Sequence, residues 1–336
     1  MPWQATEPER ERMRFVTVFL EGHYTKTELC ARFGVSRPTC DTLLRRWGEE
    51  GIDGLKDRSR RPKHSPQGIS QEVRELLLAT RKAHDDWGPR TIVAFLKRER
   101  PEMTIPAPST VGDLLSRENL VEGRRRRRSK PEHPGRASIP VNGPNDRWGA
   151  DYKGEFRTRD RRKCYPLTVT DASSRYLLGC QGLPSNAHDG TQAVFTRIFQ
   201  EYGLPAAIRS DNGVPFSSRA IAGLSRLNVW WTKLGILHDR TEPGHPEQNG
   251  AHERMHRTLK RATLRPPAEN VGVQQMRFDA FRHEFNTVRP HHALAMATPG
   301  SCYVASTRPM PERLLPPEYP GHCIVRQVRA NGIVYF

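Results

Sequence analysis

Three acidic residues stand where chain geometry favours chemistry. Asp151 closes the run "DRWGAD", Asp211 ends "PAAIRSD" and opens "DNG", and Glu253 lies one turn into the helix-like "NGAHERMHRTLK". Asp151 and Asp211 are separated by 59 residues, Asp211 and Glu253 by 41. Strand ends and helix starts at the edge of an open α/β sheet are where such sheets build their sites. Three carboxylates there would offer hard oxygen donors of the kind Mg²⁺ prefers. The matching chemistry is in-line attack at a phosphodiester, with two divalent ions about 3.5–4 Å apart, one activating the attacking oxygen and one stabilising the departing oxygen. Softer metals are not indicated. Cys30, Cys40, Cys164, Cys180, Cys302 and Cys323 form no close CxxC pair, and none lies near a histidine pair at zinc-finger spacing. Taken singly, each carboxylate reads more simply as a helix cap, a turn residue or a surface ion-pair partner. Their flanking residues make the set specific.

Positions three, four and seven residues apart share a helix face. From Glu253 that face takes in His256, Arg257 and Lys260. Cations there could hold phosphates beside the carboxylates; the plainer reading is a solvated basic helix with an ion pair from Glu253 to Arg257. Asn249 can cap this helix and Gly250 permits a tight start. Before them "PGHPEQ", with His245, reads as a loop able to close over a substrate. Asn212 and Gly213 form a turn that sets the Asp211 carboxylate at its strand end.

The rest of the chain must position these groups and hold their substrate. The 336 residues allow two or three domains. A formal net charge of +17, from 54 Lys and Arg against 37 Asp and Glu, points to a polyanionic partner, most simply nucleic acid. No secretory signal is expected in the charged "MPWQATEPERERMRFV", no apolar run is long enough to span a membrane, and the cysteine pattern suits a reducing compartment. Residues 1–56 read as three helices in a helix-turn-helix layout. The second would be capped by Thr25 with Glu28, the third by Ser36. On that third helix Arg37, Thr39, Thr42, Arg45 and Arg46 are expected to face outward, toward DNA; a plain three-helix bundle is the alternative. A basic linker, 57–69, leads to a second helix-turn-helix or winged-helix-like group over 70–122, with Ser109 capping its last helix and Thr110, Asp113 and Arg117 outward. An Arg-rich linker, 123–140, carries five consecutive arginines from Arg124. Residues 141–305 alternate strands and helices and suggest a mixed sheet flanked by helices. Residues 306–336 end in a hairpin pattern, "CIVRQVR" and "IVYF", a short β segment that would be part of a small barrel.

Four ordered blocks, "WGAD", "SDNGVPF", "PGHPEQNGAHERMHRTLK" and "FNTVRPHHALAMATPGSCY", together resemble the integrase-type core of bacterial insertion-sequence transposases, within the DDE transposase and retroviral integrase superfamily. The resemblance runs from about Asn145 to Tyr303, and the tandem helix-turn-helix arrangement ahead of it is similar as well. It implies a multidomain protein: all-α helix-turn-helix modules, then an α/β RNase H-like core with a mixed five-stranded sheet. It implies a catalytic, metal-binding triad of Asp151, Asp211 and Glu253 holding two Mg²⁺, with Mn²⁺ as substitute, and it favours Glu253 over Glu247. Arg257 and Lys260 match positions that grip the donor DNA end, with His256 and Asn249 beside them. Trp148, Asn212, Gly213 and Gly250 would support the site, and Asn286, Arg289, Pro290 and His291 the catalytic face. The activity implied is cleavage at transposon ends and joining of the 3′-hydroxyl to target DNA. The partners implied are double-stranded DNA, both terminal repeats and target, and further copies of the chain on paired ends, in the bacterial cytoplasm on the nucleoid. The chain departs from retroviral integrases in a longer interval between Asp211 and Glu253, in lacking their His/His/Cys/Cys zinc domain, and in a C-terminal hairpin that stops where further strands would follow. Two other classes stay open: a DNA-binding regulator that does not cut, and an RNase H-like nuclease without strand transfer.

Overall fold

The computed structural model describes residues 8–58, 68–121, 139–218, 223–242, 249–314, 321–322 and 324–326. Contacts divide the chain into two compact units, Met1–Gly68 and Ile69–Phe336.

In the first unit, α1 (Pro8–Leu20), α2 (Lys26–Arg32) and α3 (Arg37–Glu50) are followed by a 3₁₀ turn, Gly51–Leu55. The capping box anticipated for α2 is present: the Thr25 hydroxyl accepts from the Glu28 amide, and the Thr25 amide donates to the Glu28 carboxylate at 2.8 Å. These reciprocal bonds satisfy two donors that a helix start otherwise leaves orphaned. Phe15, Leu29, Cys40, Leu43 and Leu55 form the core, so Cys30 and Cys40 are filler, as their helical spacing suggested. On α3, Arg37, Thr42 and Arg45 face solvent. Two outward expectations are corrected. Thr39 is half-buried and its hydroxyl is 2.8 Å from that of Ser36, which makes no cap bond to the backbone. Arg46 is half-buried and donates to the Lys56 carbonyl at 2.6 Å, locking α3 to the 3₁₀ turn and its exit.

The second unit opens with α4 (Gln71–Ala83), α5 (Pro89–Glu99) and α6 (Pro108–Arg117), packed around Leu77, Trp87, Ile92, Leu96, Val111 and Leu115. Thr110, Asp113 and Arg117 are exposed as expected. Ser109 is not the cap of α6: the helix starts one residue earlier, at Pro108, whose ring occupies the first turn where no amide partner is needed. The three helices dock on the C-terminal half of the same unit. His84 Nδ1 lies 2.9 Å from Glu284, Arg261 donates to Asp85 at 3.0 Å, and Arg289 pairs with Asp86.

A mixed sheet forms the centre of this unit, made of β1 (Arg147–Tyr152), β2 (Phe156–Arg157), β3 (Lys163–Asp171), β4 (Leu177–Leu183), β5 (Ala207–Ser210) and β6 (Leu237–Arg240). Five strands run in the order β4-β3-β1-β5-β6, with the first three antiparallel and β5 and β6 parallel to β1. The expected five-strand sheet gains a sixth member, the two-residue β2, which pairs with β3 just beyond β1. Helices α7 (His188–Tyr202) and α8 (Arg226–Lys233) cover one face through Phe195, Phe199 and Trp231. Helices α9 (Gly250–Thr263) and α10 (Val271–His283) cover the other through Leu259, Phe278 and Phe281. A π turn at Glu284–Val288, a 3₁₀ turn at His292–Leu294 and a short α11 (Pro299–Cys302) follow. Strand alternation sorts the residues: Trp148 and Ala150 of β1 enter the α7/α8 core, while Gly149 and Asp151 face α9.

After Arg240 no strand forms among the described residues. Of the C-terminal hairpin pattern only 324–326 are described, and they are not extended into a ladder. The "PGHPEQ" loop, with His245 and Glu247, the arginine run and most of the basic linker lie outside the described residues.

Candidate active site

The site forms at the carboxyl ends of β1 and β5. Their parallel register pairs Ala150 with Ser210, so Asp151 and Asp211 come next on neighbouring strands. Asp211 is exposed and its carboxylate accepts the Gly213 amide at 3.1 Å. A Cβ on Gly213 would stand 3.0 Å from that carboxylate, which is why glycine fits the turn. Asn212 donates its amide to the Thr241 carbonyl at 2.8 Å and ties the end of β5 to the residue after β6.

Helix α9 brings the third acid. Glu253 is exposed in its first turn, with Arg257 and Lys260 exposed along the same face. The Asp151 carboxyl registers both other acids. Burial, then the negative charge of Asp211 and a smaller contribution from Glu253, push it up to about 7, against relief from the Tyr152 amide and Lys153. Two aspartates at neighbouring strand ends and a glutamate on the first turn of α9 thus sit within electrostatic reach of one another. The donor set consists of hard oxygens, and it fits divalent cations of the Mg²⁺ type.

His256 does not join the exposed face; this sequence expectation is corrected. It is 5% exposed, and its Nε2 lies 2.7 Å from the Thr168 hydroxyl. His252, one turn earlier and also buried, places Nε2 at 2.7 Å from the same hydroxyl and Nδ1 at 3.1 Å from Thr170. The buried stripe of α9 is His252, Met255, His256, Leu259 and Thr263. Burial holds both imidazoles neutral, with His252 pushed down to about 4 and His256 to about 2. Asp151, His252 and His256 offer three ligand atoms within 4.8 Å of one another. Both His252 nitrogens are already hydrogen-bonded, so the trio is a network that seats α9 on β3 rather than a vacant metal cage.

Asn249 also acts differently from the expectation. It precedes α9 but caps no amide; its side-chain amide donates to the Asp151 carboxylate at 3.3 Å. Gly250 has no left-handed backbone, and among the described residues a Cβ there would meet open space, so the tight start is not what glycine serves. Trp148 is fully buried and donates its indole N–H to Asn145, anchoring β1 from the opposite face. Asn286 and Arg289 support the fold away from the carboxylates. The Asn286 side chain bonds both the amide and the carbonyl of Leu177, at 2.8 and 3.0 Å, and Arg289 holds Asp86. His291 lies 3.3 Å from the Phe285 carbonyl.

Two groups escaped the sequence reading. Asp171 is fully buried and accepts from the Asn145 amide and from the amide and hydroxyl of Ser174, fixing the turn after β3. Asp239 accepts from Arg209 at 2.6 Å and stands 3.6 Å from Arg147, an ion-pair cluster across β1, β5 and β6. No helix among the described residues is long and apolar enough to cross a membrane.

Comparison with known proteins agrees with this architecture. Residues 141–246 and 234–299 each match a family described as "Integrase core domain". Residues 39–115 match "Homeodomain-like domain" and 11–63 "Helix-turn-helix domain". The chain is similar to the insertion element IS476 uncharacterized 39.2 kDa protein of Xanthomonas euvesicatoria, 26% identical over 240 residues, 70% of this chain and 65% of that protein. It thus spans just under two thirds of that relative's length. It is similar also to the insertion element IS407 uncharacterized 31.7 kDa protein of Burkholderia multivorans, 26% identical over 248 residues, 71% of this chain and 82% of that one. Among solved structures, the HTLV-2 integrase catalytic core domain in complex with magnesium aligns over 48% of this chain and 99% of its own, at 17% identity and a TM-score of 0.39. The chain thus carries helix-turn-helix domains followed by an integrase core, and it is similar over most of its length to proteins of bacterial insertion elements.

Proposed function

We propose that this chain cleaves the ends of an insertion element and joins the freed 3′-hydroxyl to target DNA, using Asp151, Asp211 and Glu253 to hold two Mg²⁺ ions, or Mn²⁺ in their place. The observation that carries this reading is the parallel pairing of β1 with β5, which brings Asp151 and Asp211 to neighbouring strand ends, with Glu253 on the first turn of α9 near enough for its charge to reach Asp151. Bound there, the two ions would supply activation of the attacking oxygen and stabilisation of the leaving oxygen. The protein's own share is positioning. β1 and β5 fix the two aspartates, the Gly213 amide orients Asp211, and Asn249 orients Asp151. Exposed Arg257 and Lys260 would hold the phosphates of the donor end, and the outward residues of α3 would contact DNA in the first module. In this reading the chain has two DNA-binding modules, 1–56 and 70–122, with basic linkers 57–69 and 123–140, a catalytic core, 141–305, and a C-terminal segment, 306–336. It would act as an oligomer on paired terminal repeats, in the bacterial cytoplasm.

The test is strand transfer by purified protein on a duplex carrying the element's terminal sequence. Asp151→Asn, Asp211→Asn and Glu253→Gln are each expected to abolish joining while DNA binding persists. Normal joining by any one variant sinks the triad. Binding without metal-dependent nicking by the wild type would instead favour a regulator, and nicking without joining of a pre-cleaved end would favour a nuclease.

A further inference from the structure

A cleft of about 590 Å³ lies between α5, α9 and the segment after α10, with His252 and Arg254, the chain neighbours of Glu253, in its wall. Four arginines line it, Arg175, Arg254, Arg257 and Arg289, with His291 and His292, and no Asp or Glu is among its lining residues. Of these arginines Arg289 has a partner, Asp86. Among the described residues no hydrogen bond or ion pair joins the guanidinium of Arg175, Arg254 or Arg257 to a carboxylate. The acid whose charge acts on Arg175, Asp171, has both its oxygens hydrogen-bonded by Asn145 and Ser174.

Arg175 is the informative member. Its backbone sits in the left-handed region, φ 63°, an unusual conformation for a residue with a long side chain. Its guanidinium is partly buried and faces the like charge of Arg254, and both effects push its pKa down. Arg254 itself is exposed and Asp171 supplies a counter-charge, so water and that carboxylate already ease part of the repulsion. An anion between the two arginines removes the rest, and a guanidinium fork matches the oxygens of a phosphate.

We propose that this cleft binds the sugar-phosphate backbone of duplex DNA, with Arg175 and Arg254 as its phosphate ligands. This rests on the DNA reading above and extends it. The track of cations then runs from Arg257 and Lys260, on the exposed face of α9, into the junction with the second helical module. The element that closes the cleft opposite α9 belongs to that module, through Thr91 of α5. DNA held by the module would therefore be handed to the carboxylate edge along one continuous cationic wall.

The experiment uses the full chain and a mixed-sequence duplex, with binding followed by fluorescence anisotropy from about 50 to 200 mM salt. Each phosphate contact contributes about 0.9 to the slope of log affinity against log salt. The double variant Arg175→Gln, Arg254→Gln is expected to lower that slope by about 2, with its melting temperature unchanged or raised. Arg175→Lys, Arg254→Lys is expected to keep the slope. An unchanged slope in the glutamine variant, with a reduced slope in Arg257→Gln, Lys260→Gln, overturns the cleft and leaves the DNA reading intact. Unchanged slopes in both overturn DNA binding by the core altogether. A parallel titration with inorganic phosphate separates the sources of the anion: a cleft saturated by free phosphate while the DNA slope stays fixed also overturns the proposal.

Discussion

Nδ1 of His256 faces Oδ2 of Asp151 at 3.6 Å, and neither group favours its charged form: burial raises the acid and lowers the base. The contact is therefore not an ion pair. Hydrogen-bond inventory explains the rest. Thr168 has one hydroxyl hydrogen, and its bond to the Asp151 carbonyl at 3.0 Å uses it. Both imidazoles must then donate Nε2–H to Thr168, which leaves the Nδ1 lone pair of His256 turned to Asp151. A lone pair against a carboxyl oxygen is tolerable when the carboxyl carries a proton or when a cation stands by.

His256→Phe tests that network. The ring volume stays and both nitrogens go, so Thr168 loses a donor inside a dry contact. A cost of about 1–3 kcal/mol is expected, read as a drop in melting temperature. DNA affinity should not change, because the ring does not reach the surface. Weaker DNA binding with an unaltered melt would return His256 to the exposed face.

Gly149→Ala addresses the seat of α9. A Cβ at 149 would stand 3.1 Å from His252 Nδ1 and 3.4 Å from the Thr170 hydroxyl. The His252 ring must give way by a few tenths of an ångström, and Glu253 is the next residue on that turn. Strand transfer should fall by about three- to tenfold, since about 1 Å of misplacement can cost on the order of a hundredfold. Gly250→Ala, one helix position into open space, should keep activity and match or slightly exceed wild-type stability. Equal behaviour of the two variants would refute the close approach at Gly149.

How far the fold and the site are legible in the sequence depends on the range of the interaction. Thr25 and Glu28 are three residues apart and announce α2 by themselves. The strand ends at Asp151 and Asp211 follow from apolar runs and from the family motif. His256 misled because a polar side chain three residues from Glu253 was assigned to Glu253's face. The stripe His252, Met255, His256, Leu259 and Thr263 has the period of a buried face, and Thr168 and Thr170 alternate on β3 to receive it. That pattern is present in the sequence but looks apolar only once the histidines are known to be neutral. Asn286 gives no local signal, since its partner Leu177 is 109 residues away. The same holds for Asp239, which reads as a surface acid until β6 is placed beside β5.

Asp239→Ala should be among the most damaging changes outside the site. Arg209 and Arg147 are largely buried and share this carboxylate. Removing one partner of a buried pair strands the other charge, at about 3–5 kcal/mol. Urea unfolding should show the loss at neutral pH, and Asp239→Asn should recover little of it. A loss below about 1 kcal/mol, the range of an exposed pair, would mean that solvent reaches the cluster.

The carboxylate edge makes a stability prediction of opposite sign to its catalytic one. The Asp151 carboxyl is raised from 3.8 to about 7 in the folded chain, so between those values the native state binds a proton that the unfolded state has released. Without metal, its contribution to stability must fall as pH rises from about 4 to about 7, and it levels off above. The buried histidines His238, His252, His256 and His291 are pushed down, and they act in the other direction over part of the same window. The difference between wild type and Asp151→Asn isolates the carboxyl. In a chelator, Asp151→Asn should melt higher than wild type at pH 8, by an amount on the order of a few kcal/mol, and the gap should close toward pH 4. Adding Mg²⁺ or Mn²⁺ at pH 8 should raise the wild type toward the variant and leave the variant nearly unmoved. A gap that is constant with pH would show that Asp151 is an ordinary exposed acid, and a variant stabilised by metal as much as the wild type would remove Asp151 from the metal site.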